Sequence, residues 1–225
     1  MNRRAIVVIT AVLAVFGFAL ASYFFSQPAP VVPNRSAPAE NIAASSTAEG
    51  NGLVRPNSPV LGPADARVTI VEFFDPACES CRAFYPIVKQ IMAENPRTVR
   101  VVLRYAAFHD GSDEVVRILE TARLQGVFQP VLEALLDAQP AWASHGRPDL
   151  SKAWEAARSA GLDESRARRD MSLPGIDAIL RQDTADVMTF KVRGTPTFFV
   201  NGKPLPSFGR QPLLDLVRSE VLASN

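Results

Sequence analysis

The feature that most constrains the fold is the order of three predicted elements in residues 67–105. A β-strand is followed by an α-helix and then by a second β-strand. Residues 67–74 (RVTIVEFF) are rich in β-branched and aromatic side chains, which favour a buried strand. From Glu79, apolar residues recur at spacings of three and four, which predicts a helix ending near Asn95. Residues 98–105 (TVRVVLRY) predict the second strand. Two strands joined through a helix are expected to be parallel neighbours in one sheet.

The following segment, residues 110–190, shows only helical periodicity. Ser112 and Asp149 are placed to cap helices, and Gly161 is placed to end one. These signals predict an inserted helical domain of four or five helices.

The carboxyl-terminal part returns to a strand pattern. Residues 197–200 (TFFV), the turn Asn201-Gly202 and a short partner near Leu205 predict a hairpin. Pro212 then opens a last helix. We therefore predict an α/β domain over residues 58–225, with a central mixed sheet flanked by helices.

The amino terminus predicts an anchor in a membrane. Residues 5–25 carry no charge and would form a helix ~31 Å long, which is close to the thickness of a bilayer core. Arg3 and Arg4 precede this run, so we expect the rest of the chain to lie outside the cytoplasm. A signal peptide cleaved near Ala21 is the alternative. Residues 26–57, rich in Pro, Ala and Ser, predict a flexible linker.

Composition excludes two classes of protein. The net charge of +1 gives no basic surface of the kind that binds nucleic acid. The chain has two cysteines, which cannot form a scaffold of several disulfides. Their chemistry has to be explained as a pair.

Cys78 and Cys81 stand where the first strand gives way to a helix, and this position predicts redox chemistry. The free N–H groups and the positive end of the helix dipole favour an anion, so Cys78 should ionise more easily than a free cysteine. Cys78 would then form the mixed disulfide with a substrate and Cys81 would resolve it. This cycle needs no cofactor besides the Cys78-Cys81 disulfide itself.

Glu79 and Ser80 lie between the cysteines and affect this chemistry. A carboxylate near the Cys78 sulfur costs roughly 0.7 to 3 kcal/mol of repulsion, which is comparable to the helix-end contribution of ~0.3 to 2 kcal/mol. We therefore predict a weaker oxidant than proteins with a proline-histidine pair at these positions.

Three other interpretations of the cysteine pair remain open at this point. A permanent disulfide would close a loop too short to stabilise the fold much. A zinc site would need His109 and His145 as further ligands, and their spacing does not support one, so we predict no metal site. A non-catalytic module that binds Cu(I) or acts as a thiol-dependent chaperone is the main alternative function.

The sequence resembles the DsbA-like thiol-disulfide oxidoreductases of the thioredoxin superfamily. The stretch VEFFDPACESC resembles that family's active-site entry, and residues 194–197 (GTPT) resemble its cis-proline loop. The resemblance implies a thioredoxin fold, a cis bond at Pro196 that follows Thr195, and substrate backbone binding there. It also implies that Glu72 is a buried acid that takes the proton of the resolving cysteine.

The resemblance further implies a biological setting. It suggests an enzyme on the periplasmic side of a bacterial inner membrane that exchanges disulfides with protein thiols, with a membrane redox partner that recycles the cysteines. Because residues 26–57 are too short and polar for the dimerisation domain of the related isomerases, we expect a monomer. The Glu79-Ser80 dipeptide lacks the histidine of the strongest oxidants, which leaves the direction of electron transfer open. His109 is predicted to be a surface or capping residue.

Overall fold

The computed structural model describes residues 52–224 of the chain. Five strands form a single sheet in the order β1-β3-β2-β4-β5. Their bounds are β1 Val60–Leu61, β2 Val68–Phe74, β3 Val99–Tyr105, β4 Thr197–Val200 and β5 Lys203–Pro204.

The two central strands confirm the predicted parallel unit. β2 pairs in parallel with β3 from Val68 opposite Val99 to Phe74 opposite Tyr105, and every residue of both strands is buried. Helix α1, Glu79–Glu94, connects them and buries one face against the sheet. β4 runs antiparallel to β2, so the sheet is mixed, as predicted. The segment that carries Cys78 and Cys81 therefore follows a strand in the middle of the sheet.

The insertion between β3 and β4 has six helices within the described residues, more than the four or five predicted. Their bounds are α2 Ser112–Leu124, α3 Phe128–Asp137, α4 Gln139–Trp142, α5 Leu150–Ser159, α6 Glu164–Asp170 and α7 Pro174–Thr189. α4 is a single turn, which is too short to show a hydrophobic period. Trp142 and Trp154 are buried, at 0% and 2% exposure, and form part of the hydrophobic core.

The predicted hairpin is confirmed. Asn201 and Gly202 have φ of 48° and 82°, as a tight turn between antiparallel strands requires. The last helix, α8, spans Arg210–Ala223 and so begins two residues before Pro212.

Ser112 does not cap a helix, contrary to the prediction. It is the first residue of α2, and Gly111 before it adopts φ 79°. The Ser112 hydroxyl instead donates a hydrogen bond of 2.5 Å to Asp75 Oδ1. Asp149 precedes α5 as predicted, but its carboxylate accepts from Ser151 and not from the helix backbone. The sequence identifies polar residues at the starts of helices, but it does not show which groups their side chains hydrogen-bond.

The boundary between linker and domain also needs correction. Residues 52–57 fall within the predicted linker, yet Leu53 is 1% exposed and lies in a hydrophobic cluster with β2 and β3. Arg55 forms a 2.7 Å ion pair with Asp186 of α7. The folded part thus includes these residues, which are attached through a buried leucine and an ion pair. The sequence did not show this, because the stretch has no hydrophobic period.

A buried ionic network fixes this boundary. Arg104 of β3 is fully buried and donates to Asp183 Oδ1 at 2.6 and 2.8 Å, and also to Asp186. It donates as well to the Leu53 carbonyl at 2.6 Å. Burial alone would raise the pKa of Asp186, but hydrogen bonds from Arg55 and Arg104 lower it to about 2. One guanidinium therefore joins the sheet, the last inserted helix and the start of the domain.

The predicted membrane segment, residues 5–25, lies outside the described residues. Across residues 52–224, no helix combines the length and the apolar character needed to cross a bilayer.

Candidate active site

The two predicted catalytic cysteines lie at the amino-terminal end of α1. β2 ends at Phe74, a tight turn follows, and Cys78 is the residue that precedes the helix. Its N–H donates to the Asp75 carbonyl at 3.1 Å, which closes the turn. Both cysteines are free. The strand and the helix thus hold the pair between the carboxyl end of the central strand β2 and the start of α1.

Cys78 is the more accessible and the more acidic of the two thiols. It is 7% exposed, whereas Cys81 is 0% exposed. A hydrogen bond from the Cys81 thiol is the main cause that lowers the pKa of Cys78 to about 5; the Thr195 side chain and the backbone N–H groups of Cys81 and Ser80 add to it, while burial opposes them. Cys78 is therefore a thiolate at neutral pH and can act as a nucleophile.

Cys81 has the opposite character. Burial, the hydrogen bond to Cys78 and the negative charge of Glu72 raise its pKa far above the usual range of a thiol. Its Sγ accepts a hydrogen bond of 3.4 Å from the Asp75 N–H. Cys81 thus stays protonated until a base removes its proton, as a resolving cysteine requires.

Glu72 supplies a base of suitable acidity. It lies in the centre of β2 at 2% exposure, opposite Phe198 of β4. Desolvation, together with the negative charge of Cys78, raises the pKa of Glu72 to about 8. A carboxyl group that titrates near neutrality can both take up and return a proton.

Thr195 and Pro196 form the wall opposite the cysteines, and the peptide bond between them is cis. In its thiol form, Cys78 Sγ donates to the Thr195 carbonyl oxygen at 3.2 Å. The Thr195 hydroxyl is buried and makes no hydrogen bond of normal geometry within the described residues, yet it favours the Cys78 thiolate. The structure therefore brings Cys78, Cys81, Glu72, Thr195 and Pro196 together at one site.

Glu79 and Ser80 are the exposed members of the motif. The Glu79 carboxylate is 60% exposed and lies 3.1 Å from Nε2 of His145, a loop residue of the insertion. Exposure and this partner weaken its repulsion of Cys78. The repulsion from Glu79 therefore does not prevent the pKa of Cys78 from being lowered to about 5.

Asp75 organises the site, and sequence reasoning missed it. Its carboxylate is fully buried and accepts from the backbone N–H groups of Ala77 at 2.9 Å, Phe108 at 2.8 Å and His109 at 3.1 Å, and from the Ser112 hydroxyl. These bonds join the turn before Cys78 to the loop after β3. The available signal was an acidic residue at the end of a buried strand, three positions before the first cysteine.

His109 is not a simple surface residue, contrary to the prediction. Its Nδ1 lies 2.7 Å from Asp75 Oδ2, and its side chain is 30% exposed. Burial lowers the pKa of His109, but the hydrogen bond and charge of Asp75, with the charges of Cys78 and Glu79, produce a net increase. The His109 and His145 rings lie 5.8 Å apart. The negative charge of the Cys78 thiolate thus favours the protonated form of His109.

Across residues 52–224, no group of three or more His, Cys, Asp or Glu side chains is arranged to hold a metal ion.

Comparison with known proteins identifies the family. A family model described as thioredoxin matches residues 55–208, more than half of the chain. The chain belongs to the thioredoxin family. A thioredoxin-like oxidoreductase from Silicibacter pomeroyi DSS-3 has a similar crystal structure, with 31% identity and a TM-score of 0.66 over 76% of this chain and 95% of that chain.

The expected resemblance to DsbA-like proteins is confirmed for the fold. The crystal structure of Wolbachia pipientis alpha-DsbA1 superimposes with a TM-score of 0.68, covering 79% of this chain and 98% of that chain. Their 14% identity makes this a likeness of fold.

Among curated relatives, the Na(+)/H(+) antiporter NhaA of Herminiimonas arsenicoxydans is 29% identical over 146 residues. The match covers 65% of this chain and 22% of the antiporter. The chain thus spans about a fifth of the length of that relative.

Proposed function

We propose that this protein is an extracytoplasmic thiol-disulfide oxidoreductase that exchanges disulfides with protein substrates through Cys78 and Cys81. The observation that carries the proposal is the asymmetry of the pair. One thiol is acidic, partly accessible and 3.2 Å from the Thr195 carbonyl, while the other is buried and protonated. A structural disulfide, or a pair of cysteines that only binds a metal ion, does not require two thiols of different pKa and accessibility.

In the oxidising direction, a substrate thiolate attacks Cys78 Sγ and the Cys78–Cys81 bond breaks. Cys81 leaves with the bonding electrons and takes a proton, for which protonated Glu72 is the source. A second substrate thiolate then attacks the substrate sulfur of the mixed disulfide and releases Cys78 as a thiolate. The substrate loses two electrons, and the cysteine pair gains them.

In the reducing direction, the Cys78 thiolate attacks a substrate disulfide and the substrate's leaving sulfur departs as a thiolate. Glu72 then takes the proton of Cys81, and the Cys81 thiolate attacks Cys78 Sγ to release the second substrate sulfur. No cofactor beyond the Cys78-Cys81 pair takes part in either direction.

The reduction potential decides which direction prevails. A low Cys78 pKa stabilises the reduced pair and so makes the disulfide oxidising, while Glu79 between the cysteines opposes this. We expect a potential between about −270 and −120 mV, measured by equilibration with glutathione. Glu79→Gln should make the pair more oxidising. A potential equal to that of the strongest disulfide donors would contradict the proposed role of Glu79.

The proposed setting is the periplasmic face of a bacterial inner membrane. The apolar residues 5–25 after Arg3 and Arg4 support an uncleaved anchor, and cleavage near Ala21 is the alternative. A monomeric domain would meet protein thiols there, and a membrane redox partner would recycle its cysteines. Fractionation and the mass of the mature protein would separate anchored from cleaved forms.

The activity is tested by insulin reduction and by the refolding of a reduced substrate. Cys78→Ser should abolish both reactions, because the serine hydroxyl does not ionise at neutral pH. Equal activity of the variant and the wild type would remove the proposal. Stoichiometric Cu(I) held by the reduced protein and lost from Cys78→Ser, without disulfide exchange, would favour the copper-binding alternative.

A further inference from the structure

A groove lies beside the cysteine pair, because it is lined by Thr195, whose carbonyl oxygen lies 3.2 Å from Cys78 Sγ. It has a volume of about 440 Å³, and its lining includes Ser80 of the motif, Thr195 of the opposite wall and Phe208 before α8. This volume is within the range of clefts that hold a ligand of several side chains. A polypeptide joined to Cys78 would therefore have this groove within reach.

Aromatic side chains give the groove an apolar surface. Phe208 is 61% exposed, and its ring lies 4.8 Å from that of Phe84. Phe84 lies in turn 5.6 Å from Phe198, which is 1% exposed. A large exposed aromatic ring that packs against buried aromatic rings is typical of a surface that binds another protein.

The charge of the groove is positive. Lys191 and Arg193 are the charged residues among those that line it, and both are exposed. Neither side chain forms an ion pair or hydrogen bond with another residue of the described part. Glu79 does not line the groove and pairs with His145 instead. Two cations that have no side-chain partner among residues 52–224 thus line the groove that includes Phe208.

We propose that this groove binds an extended segment of a partner protein with an acidic side chain close to its reactive cysteine and an apolar side chain on Phe208. The acidic group would pair with Lys191 and Arg193, and the opposite charges would speed the encounter. The proposal rests on the proposed function, because it names the substrate class that the same cysteines serve.

The test uses the full chain with Cys81→Ser, which stops the reaction at the mixed disulfide. Two probe peptides carry one cysteine each, linked in a disulfide to nitrothiobenzoate. They share an apolar residue and differ in neighbouring residues, which are aspartates in one and lysines in the other. The Cys78 thiolate attacks the peptide sulfur, the bond to nitrothiobenzoate breaks, and the coloured nitrothiobenzoate thiolate reports the rate.

We expect the acidic peptide to react at least about tenfold faster at low ionic strength. Added salt should reduce this advantage, because the charges are exposed and screened. Lys191→Glu with Arg193→Glu should reverse the preference in favour of the basic peptide. A reversal is a gain that a misfolded variant cannot produce.

Arg169→Glu with Arg181→Glu is the matched control, since it changes the net charge equally at exposed positions outside the groove. This control should keep the preference for the acidic peptide. Equal rates for both peptides, or the same loss of preference in both double variants, would overturn the groove proposal while the exchange activity stands. No reaction with either peptide would instead overturn the proposed function.

Discussion

Cys78 and Cys81 carry the same group, and their surroundings give them opposite acidities. Cys78 receives hydrogen bonds at a helix start, whereas Cys81 is desolvated beside a buried carboxylate. The two thiols are thereby suited to different steps, attack and resolution. Glu72 and His109 are the nearby titratable groups whose replacement separates these steps.

Glu72→Gln should slow resolution of the mixed disulfide by about 100-fold in the reducing direction. Glutamine cannot take the proton of Cys81, whose pKa lies far above neutrality. Because burial raises the pKa of Glu72, resolution by the wild type should speed up as pH rises and Glu72 ionises, and the variant should lose this dependence. Stopped-flow measurement of product release checks it, with Glu94→Gln on exposed α1 surface as control.

His109→Gln should raise the pKa of Cys78, because glutamine cannot carry the positive charge that a protonated His109 places near the thiolate. Glutamine can still donate to Asp75, so the loop should keep its conformation. Ultraviolet absorbance of the thiolate against pH measures the change. His145→Gln serves as control and should shift the titration less, since that side chain is 69% exposed. An unchanged Cys78 titration in His109→Gln would show that the histidine has only a structural role.

Among the elements, α7 depends on charge as well as on apolar packing. Asp183 and Asp186 lie on its buried face and meet Arg104 of β3. Desolvation raises the pKa of Asp183, although Arg104 opposes this. The arginine therefore favours the ionised form of both buried acids.

Arg104→Met should lower the free energy of unfolding by about 3 to 5 kcal/mol, since it leaves buried carboxylates without their main cation. Urea denaturation measures the loss. Adding Asp183→Asn and Asp186→Asn should recover part of it, because the uncompensated charges are then gone. Arg218→Met, at an exposed ion pair with Asp215, should have a much smaller effect. No recovery in the triple variant would indicate lost packing instead.

Sequence predicted the elements that have a strong hydrophobic period and missed contacts made through single polar groups. β2, β3 and α1 were predictable because their apolar residues repeat over seven or more positions. β1, with two residues, has no period to detect. Asp75 meets His109 across 34 positions, and only the folded loops show that pairing. The cysteines were evident from spacing, while the groups that tune them were not.

At the scale of the whole molecule, the redox state changes the charge that the domain carries. The reduced protein holds a thiolate at Cys78 that the disulfide form lacks. Its pKa of about 5 in the folded state compares with 9.0 for an ordinary thiol. Between these values the unfolded chain binds more protons, so this group stabilises the folded reduced state increasingly as pH rises.

We therefore expect the stability of the reduced form, relative to the oxidised form, to increase between pH 5 and 9. Glu72 works against this, because its pKa, raised from 4.5 to about 8, removes stability as pH rises through that window. Glu72→Gln should thus steepen the increase. Chemical denaturation of both redox states across the window checks the prediction. Cys78→Ser, which forms no Cys78–Cys81 disulfide and is compared with the reduced wild type, should lose this increase, and an equally steep rise in that variant would contradict the prediction.

The oxygen that accepts a hydrogen bond from the reactive sulfur, that of Thr195, belongs to the polypeptide backbone. No substitution at position 195 can delete it, whereas the hydroxyl of the same residue, which lacks a partner among residues 52–224, can be exchanged freely. Evolution can therefore adjust the reactivity of this sulfur through one side chain without losing the contact that holds it.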